Sequence, residues 1–257
     1  MRSKTELINF TEGITLESGK KLDSFDLMVE TYGELNESKT NAILLCHAFS
    51  GNHHAAGENK NKEIGWWDQL VGPNKAIDTN KYFVICANVI GGCMGSLGPK
   101  NTNPDTNKPY GLDFPVITIR DIVRAQESLL EHLGIKKLLC ATGGSMGGMQ
   151  VLQFCATFPE KTFSAIPIAC SSSHSAQNIA LNELARQAIM ADPIWDNGKY
   201  FLKNVQPKNG LAVARMVGHI SYLSEKGMQE KFGRKLQEKA DYEFSFNADF
   251  QVESYLR

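Results

Sequence analysis

A chain of 257 residues with 27 basic and 28 acidic side chains and a formal charge of −1 is long enough for one large α/β domain or a core with a small insertion, and its balanced charge argues against nucleic acid or an anionic membrane as the main partner. No apolar run approaches the roughly 18 residues of a membrane span, and Met1-Arg2-Ser3-Lys4-Thr5-Glu6 lacks the apolar core of a secretory signal, so the expectation is a cytoplasmic protein acting on small partners. Cys46, Cys86, Cys93, Cys140, Cys155 and Cys170 stand mostly within apolar patterns and form no C-x-x-C pair, which suits buried reduced thiols better than disulfides or zinc.

Two short alternating runs, around Leu7 to Thr15 and Phe25 to Tyr32, are split by the turn-like Glu17-Ser18-Gly19-Lys20 and predict an antiparallel opening to a sheet. Ala42-Ile43-Leu44-Leu45-Cys46 is a continuous apolar run, as a strand covered on both faces would be. It ends in His47-Ala48-Phe49-Ser50-Gly51-Asn52-His53-His54, a loop at the carboxyl end of a central strand, where open α/β sheets form their ligand sites. The backbone N–H of Phe49 is a candidate oxyanion donor there. The three histidines invite a metal reading, but His53 and His54 are adjacent and no H-E-x-x-H or cysteine partner accompanies them; a polar loop at an active-site mouth is the preferred reading and no metal site is predicted. Tyr82-Phe83-Val84-Ile85-Cys86-Ala87 is the next buried strand. It runs into a glycine-dense loop, residues 91–99, which lacks the ending of a P-loop and is read as a tight turn rather than a phosphate cradle.

Thr118 to Leu133 carries Ile119, Ile122, Val123, Leu129, Leu130 and Leu133 at helical spacing, begins with the capping-box pair Thr118 and Asp121, and stops at Gly134. The run from Lys137 then meets Gly143-Gly144-Ser145-Met146-Gly147, and a helical pattern follows at once. Strand, G-x-S-x-G, helix is the context of a nucleophile elbow: Ser145 would sit on a tight turn, and the N–H of Met146, free at the helix start, could donate to a developing oxyanion. Composition alone yields on the order of 0.1 such matches in a chain this long, so a glycine-rich strand-to-helix turn that packs closely or cradles a phosphate remains the alternative at this point. Pro159 breaks the helix, and Phe163 to Cys170 reads as a further strand. Strand and helix in alternation predict an α/β fold with a mostly parallel sheet and helices on both faces.

Beyond Ser171-Ser172-Ser173 the pattern is helical with no strand up to about residue 235, which divides the chain into a core, residues 1–173, and a helical cap, residues 174–257, set over the carboxyl edge of the sheet. Within the cap, Gly210 to Leu223 reads as a helix with Val213, Val217 and Ile220 on one face and Arg215, His219 and Tyr222 on another. A guanidinium beside a phenol suits a substrate carboxylate; a solvated helix charge is the other reading, and spacing does not choose between them.

With these residues in view, the chain resembles the homoserine O-acetyltransferase family of the α/β-hydrolase superfamily. The resemblance is carried by Cys46-His47-Ala48-Phe49-Ser50-Gly51, Gly65-Trp66-Trp67-Asp68, Asn88-Val89-Ile90-Gly91-Gly92-Cys93, Tyr110-Gly111-Leu112-Asp113-Phe114-Pro115, Gly143-Gly144-Ser145-Met146-Gly147-Gly148-Met149-Gln150, Ala214-Arg215-Met216 and Phe250-Gln251-Val252-Glu253-Ser254-Tyr255-Leu256. It implies Ser145 as nucleophile, Phe49 and Met146 as oxyanion donors, and Arg215 with Tyr222 as substrate binders. It implies acetyl-CoA as co-substrate, with no tightly bound cofactor, and L-homoserine as the acceptor, on the way to methionine, through an acyl-Ser145 enzyme that is a homodimer at full length. A succinyl donor, a serine acceptor, and an esterase or thioesterase using the same serine on water stay open. Phe49 replaces the leucine frequent at its position, which matters little if the backbone N–H is the working group. The resemblance also implies an aspartate and a histidine after the cap. Only His174 and His219 follow Ser145 here, both in the cap, so the expectation is an N-terminal portion of a longer enzyme that is nearly inactive alone.

Overall fold

The computed structural model describes residues 2–257. The chain separates into two compact units, one ending at Ser172 and the other Ser173–Arg257. The first unit is built on a six-stranded sheet of β1 (Ser3–Phe10), β2 (Phe25–Tyr32), β3 (Ala42–Cys46), β4 (Phe83–Ala87), β5 (Leu138–Gly144) and β6 (Thr162–Ile168), in the spatial order β1-β2-β4-β3-β5-β6. β1 and β2 pair antiparallel, as do β2 and β4, whereas β4, β3, β5 and β6 run parallel. Every side chain of β3 is buried, as its unbroken apolar run requires for a strand covered on both faces.

Two helices of this unit bear on the site. α1 (Ile119–His132) has the predicted capping box: the Thr118 hydroxyl accepts from the Asp121 N–H, and the Asp121 carboxylate accepts from the Thr118 N–H. Its apolar stripe buries Ile122, Val123, Leu129 and Leu130 in the main core, each contributing roughly 1.5–3 kcal/mol relative to exposure. α2 (Met146–Thr157) starts directly from β5 and buries Val151 and Phe154. The second of the two short runs is a strand with its expected bounds, Phe25–Tyr32, and the first differs from expectation. β1 begins earlier and stops at Phe10, and Ile14–Thr15 pairs instead with Lys21–Leu22 in a separate small ribbon, because Gly13 turns the chain with φ 66°.

The glycine-dense loop folds on itself and onto β2: Gly91 N–H donates to the Leu97 carbonyl, the Ser96 hydroxyl to Asn88 O at 2.5 Å, and Met28 N–H to Ser96 Oγ. These bonds tie both ends of the loop together and to the neighbouring strand, as a tight turn would. The second unit contains α3 (Ala176–Ala191), α4 (Lys208–Ser221), α5 (Glu225–Lys231) and α6 (Gln251–Leu256), with short 3-10 turns between α3 and α4. None of the helices among the described residues is long and apolar enough to cross a membrane.

Candidate active site

The carboxyl end of β5 delivers the chain into Ser145, whose φ of 57° and ψ of −122° fall in a region L residues rarely occupy. Such a conformation costs on the order of 1–3 kcal/mol and persists only when its surroundings fix it. Here Ser145 N–H donates to Ile168 O at the end of β6, and Ser145 O accepts from Met149 N–H in the first turn of α2, both at 3.0 Å. The hydroxyl-bearing residue is therefore held exposed at a strand-to-helix corner.

The corner closes because two of its glycines touch β3. A Cβ on Gly147 would lie 2.0 Å from the Cys46 carbonyl oxygen, and one on Gly143 would lie 2.4 Å from the same atom. Neither distance admits a side chain, so the first and last glycines of G-x-S-x-G are where the Ser145 turn meets the end of β3. By contrast, a Cβ on Gly144 would meet nothing within 4 Å.

That contact brings Ser145 beside the loop that carries Phe49. The Phe49 side chain is 84% exposed. Among the described residues no backbone acceptor takes the N–H of Phe49 or of Met146, which for Met146 is the ordinary condition of a first helical residue. Behind the loop lies a buried polar network that the sequence reading did not assign. Gln126 of α1 donates to Gln150 Oε1 at 2.7 Å, Gln150 of α2 donates to His47 O at 3.1 Å, and Gln126 also reaches Cys46 Sγ at 3.7 Å. Gln126 could have been suspected, since it interrupts the apolar stripe of α1 on the face that Ile122 and Val123 share.

Three of the four histidines of this unit are engaged by other groups. His47 is 2% exposed; its Nδ1 meets Ala48 O at 2.8 Å and its Nε2 accepts from Val89 N–H at 3.2 Å. Burial lowers its pKa, so the ring is neutral. His54 Nδ1 lies 2.9 Å from Glu30 Oε2, with Nε2 3.2 Å from Glu63 O, and His132 stacks edge-on against Phe10. Burial likewise lowers the His53 pKa, and its Nδ1 has no partner among the described residues. No cluster of three or more potential metal ligands forms among the described residues. The Cys46 thiol beneath the corner is no rival nucleophile: burial pushes its pKa up to about 12.

In the second unit Arg215 lies on α4 and Tyr222 caps its carboxyl end, both exposed. No carboxylate pairs with Arg215 among the described residues. His219, one helical turn on from Arg215, packs edge-on against Tyr255 of α6 with ring centroids 4.7 Å apart, and Tyr255 in turn meets Phe232. Of the expected apolar face, Val217 is buried while Val213 and Ile220 are exposed.

Residues 41–252 match the α/β hydrolase fold family. The chain superposes over its whole length on 70% of a crystal structure of homoserine O-acetyltransferase from Bacillus anthracis, with a TM-score of 0.87 and 32% identity. It is 62% identical over 245 residues to a homoserine O-acetyltransferase from Methanococcus vannielii, an alignment covering 95% of this chain and 50% of that relative. The chain belongs to the homoserine O-acetyltransferase family. It spans about half to two thirds of the length of the curated relatives it matches. The α/β hydrolase fold also brings it near a crystal structure of esterase E22, at a TM-score of 0.82 and 32% identity over 99% of this chain and 72% of that one.

Proposed function

We propose that Ser145 is the nucleophile of an acyl transfer from acetyl-CoA to the side-chain hydroxyl of L-homoserine. The observation that carries this reading is the Ser145 corner: an exposed hydroxyl on a strained turn, with unaccepted N–H groups at Met146 and Phe49 on either side of the contact at Cys46. In the first step Ser145 Oγ attacks the thioester carbonyl, the Met146 and Phe49 N–H groups stabilise the oxyanion, and CoA leaves as its thiol. In the second the homoserine hydroxyl attacks the acyl-serine and regenerates Ser145. The exposed, unpaired guanidinium of Arg215, with the Tyr222 phenol, is suited to the acceptor carboxylate. The reading includes a cytoplasmic homodimer needing no tightly bound cofactor.

The base is the remaining element. A serine hydroxyl without one is a weak nucleophile, and His47, His54 and His132 are committed elsewhere. The matched relatives carry length that these residues do not cover, and we infer that the triad acid and base belong to it. On this reading residues 1–257 alone retain only the turnover that binding and oxyanion donors supply, roughly 10³–10⁴-fold over water.

The test is an assay of the whole protein with acetyl-CoA and succinyl-CoA, each against homoserine and serine, with mass-spectrometric detection of an acyl group on Ser145. Expected are acceptor-dependent CoA release and a label absent from Ser145→Ala. The esterase neighbour gives a second reading, hydrolysis by the same serine. CoA release indifferent to any amino acid would establish it and remove the first. Arg215→Ala should raise the KM for homoserine at least tenfold in a transferase and leave an esterase unchanged.

A further inference from the structure

The geometry points to His47 and Gln150 as positioning residues that aim the Phe49 N–H, a role that rests on the reading of that N–H as an oxyanion donor. A trans peptide is planar, with its carbonyl and its N–H pointing in opposite directions. The direction of the Phe49 N–H is therefore set by whatever holds the oxygen of Ala48. Two donors hold it: His47 Nδ1 at 2.8 Å and Gly51 N–H at 2.9 Å. Acceptance of two hydrogen bonds by that carbonyl also polarises the peptide and strengthens its N–H as a donor.

The His47 ring can donate from Nδ1 only if the proton sits there, and the fold decides that it does. Val89 N–H points at Nε2 from 3.2 Å, so Nε2 must be the bare, accepting nitrogen. Both ring nitrogens are thus bound to backbone, and the ring is buried. This arrangement suits a fixed strut and leaves no nitrogen to shuttle a proton.

Gln150 extends the strut. Its amide holds the carbonyl of His47 itself, and Gln126 holds the Gln150 amide in place from α1. Both glutamines are buried, so neither hydrogen bond is diluted by solvent. Gln150 lies one helical turn beyond Met146 on α2, the helix whose first N–H is the other candidate donor. One side chain therefore ties both candidate donors to a common frame. Consecutive carbonyls, those of His47 and Ala48, are pinned from two helices and the segment after β4.

The experiment uses the 257-residue chain with His47→Ala, His47→Asn and Gln150→Leu, read by nitrogen-15 NMR and by residual turnover of an activated acetyl ester. Residual turnover is the apt kinetic readout, because it is what the donors supply without a base. The wild-type ring should show a protonated Nδ1 and a bare Nε2. His47→Ala should shift the Phe49 amide resonance, speed its hydrogen exchange, and lower the ester kcat roughly 10²-fold with KM unchanged. His47→Asn, whose amide keeps a donor near the Nδ1 position, should recover most of that loss, and Gln150→Leu should give a smaller loss of the same kind. A ring protonated on Nε2, or a folded His47→Ala protein with an unmoved Phe49 amide, overturns the proposal. If His47→Ala does not fold, the wild-type tautomer and the His47→Asn amide decide alone. Ester turnover that survives Ser145→Ala would sink the acyl-transfer reading instead, and the tautomer and amide measurements would still judge the strut.

Discussion

Ser145 carries its hydroxyl on a backbone that only glycine adopts without penalty, at φ 57° and ψ −122°. Ser145→Gly should therefore stabilise the fold, by up to about 1 kcal/mol over Ser145→Ala, while both abolish acylation; urea denaturation of the pair reads the difference. The neighbouring glycines separate just as sharply. Gly147→Ala puts a methyl 2.0 Å from a backbone oxygen that cannot swing away, and should cost about 1–3 kcal/mol or more. Gly144→Ala meets nothing and should stay within about 0.5 kcal/mol of the parent. Equal losses at the two sites would mean the corner is not packed as described. Titration gives a further handle. Burial lowers the folded-state pKa of both His47 and His53, so below the ordinary histidine value near 6.5 the unfolded chain binds protons that the folded chain refuses. The stability these rings confer is whole above that value and is lost as pH falls towards their depressed folded pKa values. Denaturation at pH 7.5 and 5.5 should show the decline, and His47→Asn should show less of it.

α1 is the element whose beginning and end are most legible in the sequence. Thr118-x-x-Asp121 announces the capping box and Gly134 the stop, and the helix runs Ile119–His132 between them. What the sequence does not announce is how much Asp121 does. Its carboxylate is fully buried and also accepts from Glu17 N–H at 2.7 Å, a partner more than a hundred residues earlier. Thr118→Ala should cost about 1 kcal/mol, as an ordinary cap does. Asp121→Ala should cost about 3 kcal/mol, because it removes a fully buried acceptor that holds both the Thr118 and the Glu17 N–H; similar losses from the two would show the Glu17 bond to be worth little. The same limit applies elsewhere. Periodicity sorts α4 into faces but does not say which residues are covered, and the cover on His219 comes from Tyr255, a residue on another helix. At the candidate site the elbow was legible because its chemistry is local, written in five consecutive residues. The clamp on the Phe49 peptide was not, because it needs Val89, Gln126 and Gln150, brought in by strand order and helix packing.

For the molecule as a whole, the consequential feature is the outer edge of the sheet. Among the described residues β6 pairs with β5 alone, and Phe163, Ile166 and Ile168 are 77%, 54% and 41% exposed. The carbonyls of Ile166 and Ile168 face β5, where they accept from the Thr142 hydroxyl and Ser145 N–H. By the alternation of a strand, Phe163, Ala165 and Pro167 turn their backbones outward. Pro167 has no N–H and blunts one position, but the N–H groups of Phe163 and Ala165 and a row of carbonyls remain as a template beside exposed apolar side chains. An edge of this kind pairs with other strands unless something covers it or charges it. Lys161 is drawn to Glu127 and Glu131 of α1, and Lys137, whose Nζ stands 6.0 Å from the Phe163 ring centroid, precedes β5 and so belongs to the paired side of the strand rather than to its open edge. Residues 1–257 in isolation should therefore self-associate with increasing concentration in sedimentation velocity. Phe163→Lys or Ile166→Lys should each shift the distribution towards monomer, with little loss of stability because the side chains replaced are already exposed. A monomer across the micromolar range, melting sharply, would show that the edge is protected in solution; association undiminished in both lysine variants would place the contact elsewhere on the surface.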